Sequence, residues 1–237
     1  RKKFLLLEKK IKKNQHIRFC GSDFKKGQLI LKKGDIIQSS HVLALKTLGY
    51  KNILVKKKPN ILFFSTGNEI SNSEVIPVWK VRNSNIYYLK SLDKNFFFNF
   101  YNGGIIRDNN EKKFHKILSK KLKSKYDIIV SFGAVSAGKF DFIPNIIQKL
   151  NLTNHFKGVA VRPGKPLLFA KIKGKQKVFF GLPGNPISSA ACFRFFVWPY
   201  LQNILGIEEE KPIKAILKNN FTKKKSFTRF IKSKLNT

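Results

Sequence analysis

The stretch "VFFGLPGNPIS", residues 178–188, sets the tightest limit on how this chain can fold. Three apolar residues suit a buried strand, and two glycines and two prolines then fall within positions 181–186. A strand cannot run on through Pro183, and a helix cannot begin before Pro186, whose missing N–H costs little in a first helical turn. The chain must turn a stiff corner here, from strand to helix. The pattern recurs: "ILFF" at 61–64 runs into "STGNE", "DIIV" at 127–130 runs into "SFGAVSAGKFD", and "RPGKP" stands just before "LLFA" at 167–170.

Helical stripes lie between these runs. Residues 84–100 read as a helix starting near Ser84. "NEKKFHKILSKKLKSK" places Phe114, Ile117, Leu118 and Leu122 on one face. "DFIPNIIQKL" reads as a short helix and "NPISSAACFRFFVWPYLQNIL" as one long one. Strands alternating with helices predict an α/β domain over 58–206, a mainly parallel sheet flanked by helices. Residues 1–57 read as a β-rich segment with turns at Gly27 and Gly34. A short helix follows there, with Val42, Leu45 and Leu48 on one face and Gly49 at its end. "KKKPN", 56–60, marks the boundary. Beyond Gly206, residues 207–237 read as the start of a C-terminal β-barrel-like domain.

The chain of 237 residues carries 48 Lys and Arg against 13 Asp and Glu, a formal net charge of +35. Such a balance attracts phosphates. The lysines are spread evenly, however, among many Asn, Ile and Phe, residues that A/T-rich codons favour. The aromatics fall on apolar strands and stripes, where core is the better reading. A general use of Lys at solvated positions therefore outweighs a dedicated nucleic-acid surface. No apolar run is long enough to span a membrane. Cys20 and Cys192 have no metal-ligand spacing and read as reduced thiols of a cytoplasmic protein. No two of the four histidines share a metal-binding spacing, and none is assigned a catalytic role.

In an open α/β sheet, ligands bind beyond the carboxyl ends of the strands. The residues predicted there are Ser65, Thr66, Gly67 and Glu69; Arg107 and Asp108; Ser131, Gly133, Ser136, Gly138 and Asp141; Arg162, Gly164 and Lys165; and Pro183, Gly184, Asn185 and Pro186. Glycines let backbone approach a ligand, N–H groups in such turns suit anions, and carboxylates beside them suit a hard cation such as Mg²⁺ bridging to phosphate. Each residue alone is a weak signal, since a turn glycine is usually only a turn. Their shared placement after successive strands is what points to a site.

"FFSTGNEI", "NGGIIRDN", "IIVSFGAVSAGKFD", "VAVRPGKPLLFA" and "FFGLPGNPIS" stand in the order seen in the molybdopterin molybdotransferase (molybdenumtransferase) family, MoeA and the E domain of gephyrin. "NQHIRFCGSDFKKGQLILKKGDII" is similar to the segment preceding them there, so the resemblance covers about residues 14–206. It implies a cytoplasmic transferase of molybdenum cofactor biosynthesis. Such an enzyme takes adenylylated molybdopterin and molybdate, releases AMP with Mg²⁺, and works as a homodimer after a molybdopterin adenylyltransferase. Glu69, Asp108 and Asp141 fall on the family's acidic positions and would handle Mg²⁺ and the adenylate; Asp23 falls on a further one, from another domain. Arg162, Lys165, Pro183 and Pro186 fall on the segments associated with molybdate and phosphate.

Some positions depart from the family pattern. Gly133-Ala134 replaces a Gly-Gly pair, Phe132 stands where a small residue is usual, and Lys139 replaces a residue that is often acidic. Asn83 stands where Asp is frequent. The family also extends well beyond both ends, so the sequence reads as truncated, with 1–57 the remnant of N-terminal domains. The alternatives are a molybdopterin-binding or adenylylating domain without metal insertion, a degenerate remnant, and a basic nucleic-acid-binding protein.

Overall fold

The computed structural model describes residues 3–4, 10, 12–92, 97–107, 111–133, 143–150, 152–222 and 226–235. The chain divides into two compact units, 1–54 and 55–237. In chain order the first elements are α1 (Ser39–Thr47), β1 (Asn60–Thr66), β2 (Ile70–Ser71), β3 (Val81–Arg82), α2 (Ser84–Leu92), β4 (Asn99–Ile106), α3 (Glu111–Leu122) and β5 (Ile128–Phe132). Then come α4 (Ile143–Lys149), β6 (Leu152–Lys157), β7 (Val161–Arg162), β8 (Leu168–Ile172), β9 (Val178–Leu182), α5 (Pro186–Cys192), a π turn (Phe193–Val197), α6 (Trp198–Leu205) and β10 (Thr228–Arg229).

The apolar runs form the middle of one sheet of six strands, in the order β4-β1-β5-β9-β8-β6. The first four are parallel, while β8 turns back beside β9 and β6 runs antiparallel to β8. Every residue of β1, β5 and β9 is buried. Strands covered on both faces need apolar residues at every position, which is why these runs show no polar alternation. Side chains still alternate between faces. Ile61, Phe63, Ile128, Val130, Val178 and Phe180 join α2, α5, the π turn and α6 in one core. Leu62, Phe64, Ile129 and Phe179 join α3 and α4 in the other. The result is three layers, α/β/α, as the alternation of elements predicts.

Three expectations change on contact with the structure. First, α2 covers Ser84–Leu92, and Asn99 and Phe100 lie in β4 rather than in a helix extending to residue 100. Phe100 pairs with Ile61 across the sheet, and its ring stacks on Phe63 at 5.1 Å, so sheet packing outweighs the local helical reading. Second, the long helix is interrupted by the π turn at 193–197. Pro199 has no N–H for the carbonyl of Phe195, and the widened turn sits at that point. Third, among the described residues of 1–54 no strand pairs with another. Extended segments become strands only where a neighbouring edge takes up their N–H and C=O groups. The first unit instead holds hydrogen-bonded turns at Lys25–Gln28 and Lys32–Asp35, then α1, with Leu48 as its C-cap.

Residues 207–222 carry no helix or strand, and Thr228–Arg229 pairs in parallel with Val161–Arg162. No helix of the described residues is long and apolar enough to cross a membrane.

Phe63 is fully buried and faces Phe98, Phe100, Phe132 and Phe193 with ring centroids 5.1–6.5 Å away. Phe63→Ala should destabilise the fold by about 3–5 kcal/mol. Tyr87→Ala, on the exposed side of α2, should stay within about 0.5 kcal/mol. Urea unfolding of the two variants checks the contrast.

Candidate functional site

The turn leaving β1 is the first piece of the mouth. Ser65 and Thr66 are buried, and both hydroxyl protons are committed inside the protein. Ser65 Oγ donates to Asn83 Oδ1 at 2.6 Å, and Thr66 Oγ1 donates to the Phe132 carbonyl at 2.9 Å. Asn83 Nδ2 in turn donates to Asn72 Oδ1 at 3.0 Å, so this buried amide uses its donor and its acceptor together. The next residues swing outward. The Glu69 carboxylate folds back over Gly67, 2.6 Å from where a Cβ of that residue would stand. Glu69 is exposed, and among the described residues its side chain has no ion pair and no hydrogen bond. Arg107, at the end of β4, closes the turn. Its Nη1 donates to the carbonyls of Gly67, Asn68 and Ile70 at 3.3, 3.0 and 2.9 Å.

The corner after β9 is the second piece. Asn185 caps α5 by accepting the Ser188 N–H at 3.1 Å, and Pro186 occupies the first turn, as the sequence predicts. Ser189 Oγ donates back to the Pro183 carbonyl, and Asn85 Nδ2 donates to the Gly184 carbonyl at 2.9 Å. The corner is thus tied to α5 on one side and to α2 on the other. Gly184 packs on Gly133: a Cβ on the former would stand 3.6 Å from the Cα of the latter. Gly133 has φ +87° and lies against Thr66, so that a Cβ there would stand 2.7 Å from the Thr66 carbonyl oxygen. The ends of β1, β5 and β9 therefore meet as bare backbone.

Arg162, the last residue of β7, and Lys165, on the turn to β8, are exposed on the third piece. It rests on α5, because a Cβ on Gly164 would stand 2.7 Å from Cys192 Sγ and 3.8 Å from the Ser188 carbonyl. Burial beneath this turn pushes the Cys192 thiol up from an ordinary 9.0 to about 12.

The structure brings together Ser65, Thr66, Gly67, Glu69, Gly133, Pro183, Gly184, Asn185 and Pro186 at one end of the sheet, with Arg162, Gly164 and Lys165 on the flank of α5. Ser131 is fully buried in β5, and among the described residues its hydroxyl has no hydrogen-bond partner. Asp108, Ala134, Ser136, Gly138, Lys139 and Asp141 lie outside the described residues. Asp23 belongs to the first unit, where it pairs with Arg18. Phe132 lines a cavity beside Thr66 and Gly184; the residue is 2% exposed, and its ring stacks on Phe63 at 6.4 Å. Two residues hold the site together in ways the sequence did not indicate: Arg107, expected at this end of the sheet as a ligand group, braces carbonyls, and Asn85 was not among the predicted residues. Arg107 directly follows β4, where its charge suggested ligand contact rather than a clamp on carbonyls. No sequence signal marks Asn85, one of many asparagines.

Gly133→Ala should lower stability by about 2 kcal/mol or more, since it adds a positive-φ penalty to a clash with backbone; Gly184→Ala should be nearly neutral for folding. Thermal melts decide between them. The native chain should show one thiol open to alkylation at pH 8, the exposed Cys20, and two in denaturant. A raised thiol pKa stabilises the fold below about pH 9, and that contribution should fall away as pH rises towards 12.

Residues 63–203 match the family described as "Probable molybdopterin binding domain". Over 232 residues the chain is 34% identical to the molybdopterin molybdenumtransferase of Staphylococcus aureus (strain COL), covering 96% of this chain and 54% of that protein. The protein of the same name from Staphylococcus epidermidis is 34% identical over 231 residues, with the same coverage. Among solved structures, the molybdopterin biosynthesis MoeA protein from Pyrococcus horikoshii aligns with a TM-score of 0.67 at 28% identity, over 78% of this chain and 45% of that one. The chain spans about half the length of the curated relatives it matches. With more than half of its residues inside that match and the corresponding α/β sheet in place, the chain belongs to the molybdopterin binding domain family.

Proposed function

We propose that the chain is the pterin-nucleotide-handling part of a molybdopterin molybdenumtransferase, which takes adenylylated molybdopterin and molybdate and releases AMP as molybdenum enters the dithiolene. The observation that carries this reading is the packing of Gly184 on Gly133 and of Gly133 on Thr66 at the ends of three buried strands, with the Glu69 carboxylate folded over the adjoining Gly67 and, among the described residues, without an ion pair. Bare backbone admits a phosphate closely, and the rigid, capped corner at 183–186 holds that surface in place without adjustment. The Asn185 cap already takes up the Ser188 N–H, so cation charge for an oxyanion falls to Arg162 and Lys165.

Glu69 suits Mg²⁺ by its chemistry, as an exposed hard oxygen donor with no competing ion pair among the described residues, and Mg²⁺ commonly takes one or two carboxylates with substrate phosphate. Asp108 and Asp141 are the proposed further ligands. A bound Mg²⁺ would neutralise phosphate charge and help activate water. Arg107 keeps the Gly67–Ile70 turn in the form that presents Glu69. The same reading places the protein in the cytoplasm as a homodimer, with Asp23 supplied from another domain, downstream of a molybdopterin adenylyltransferase.

Incubation of the chain with adenylylated molybdopterin, molybdate and Mg²⁺ should release AMP. Glu69→Gln should slow that release about tenfold or more without shifting the melting temperature, as loss of a ligand to a charge-neutralising cation requires. Unchanged AMP release in this variant sinks the assignment of Glu69. Binding of the nucleotide without AMP release by the wild type leaves a pterin-binding domain instead. Substituting Pro183 and Pro186 together by Ala should weaken molybdate use more than it lowers stability; equal losses would refute the rigid-corner role.

A further inference from the structure

Arg162 and Lys165 put two positive charges on one short turn, and among the described residues neither has a carboxylate partner or a side-chain hydrogen bond. What they share is the ring of Phe227. The Arg162 guanidinium carbon lies 4.6 Å from the ring centroid, and Lys165 Nζ lies 5.8 Å from it. That ring arrives from far along the chain and is fixed by backbone. β10 lies parallel to β7, the Thr228 N–H donates to the Ala160 carbonyl at 2.8 Å, and the Phe230 N–H donates to the Arg162 carbonyl at 2.8 Å. Phe230 stacks on Phe195 of the π turn, with centroids 3.9 Å apart and ring planes 10° from parallel. The segment 227–230, which carries Phe227 next to β10, is thereby pinned to the π turn between α5 and α6 as well as to β7.

Two cations on one turn repel each other. A carboxylate between them would relieve that repulsion but would also cancel the charge that an anion needs. An aromatic face relieves part of it through its quadrupole and leaves the charge intact. A guanidinium over a ring also keeps its in-plane N–H groups free for a planar fork of hydrogen bonds. We infer that Phe227 is a positioning residue. It forms an aromatic platform that holds Arg162 and Lys165 together, uncompensated, for a tetrahedral oxyanion. This inference rests on the reading that those two residues bind molybdate. It makes the segment 226–230 part of the binding site, although it lies beyond the matched 63–203 region.

The test is equilibrium binding of molybdate to the full chain at fixed low salt, comparing wild type, Phe227→Leu, Phe227→Tyr and the double variant Arg162→Ala/Lys165→Ala. Phe227→Leu keeps apolar bulk and removes the ring face, and it should weaken binding about three- to tenfold with an unchanged melting temperature. Phe227→Tyr keeps the face and should bind within about twofold of wild type. Loss of binding in the double variant with no change in Phe227→Leu overturns the platform and leaves the anion site standing. Unchanged binding in the double variant overturns both. The wild type supplies a readout that needs no variant: the Lys165 side-chain protons should show an upfield ring-current shift in NMR that moves on molybdate titration. Its absence contradicts the platform.

Discussion

β1, β5 and β9 are buried along their whole length on both faces, and most of what this molecule can do follows from that burial. A strand in that position admits no charged side chain, because a buried unpaired charge is far too costly. Polar chemistry is driven to the two ends of the sheet. At the amino end it is used up internally. The Asn60 N–H donates to Asp127 Oδ2 at 2.8 Å, the Asp127 N–H returns to the Asn60 carbonyl at 2.9 Å, and Asn99 donates to Asn60 Oδ1 at 3.0 Å. At the carboxyl end the last buried residues, Ser65 and Thr66, tie neighbouring elements together. Beyond them, among the described residues, stand glycine turns, the proline corner, the exposed Glu69 and the exposed cations.

The two ends therefore differ in kind. One is a closed hydrogen-bond network that finishes the fold, and the other, among the described residues, is a surface of backbone and of charge without ion pairs. Proline, glycine and asparagine at 183–186 keep that surface stiff: the corner is capped at Ser188, tied to Ser189, and held by Asn85 from α2. Arg107 does the same for the turn after β1. An arginine expected as a ligand group is a brace for three carbonyls, and among the described residues Glu69 has no ion pair. In a chain of net charge +35, a carboxylate without a cation partner is conspicuous, since cations are available at almost every surface position.

Much of the fold was legible. "ILFF", "DIIV" and "VFF" could only be buried strands, and Pro186 could only begin a helix. The polar edge strand β6, "LTNHFK", gave no apolar signal, since one edge and much of its side-chain surface face solvent. The stretch to residue 100 was read as helix, and its end was misread: Asn99 and Phe100 belong to β4, where Phe63 supplies the ring that Phe100 stacks on. The β character expected before residue 57 was misread, because extended propensity needs a paired edge and the described residues of that unit hold none.

By itself the sequence determined the order of elements, the buried strands and the rigid corner, because each rests on local limits: apolar continuity, proline's missing N–H and glycine's missing Cβ. It also determined which residues fall after the strands, and through them the family. Only the tertiary structure decided what those residues do there. The hydroxyls of Ser65 and Thr66 and the guanidinium of Arg107 turn inward to partners 18, 66 and 37–40 positions away along the chain. Phe227 reaches Arg162 and Lys165 only because β10 returns to β7. Hydrogen-bond partners and aromatic neighbours so far apart are set by how the sheet closes, and no local pattern of residue types records that.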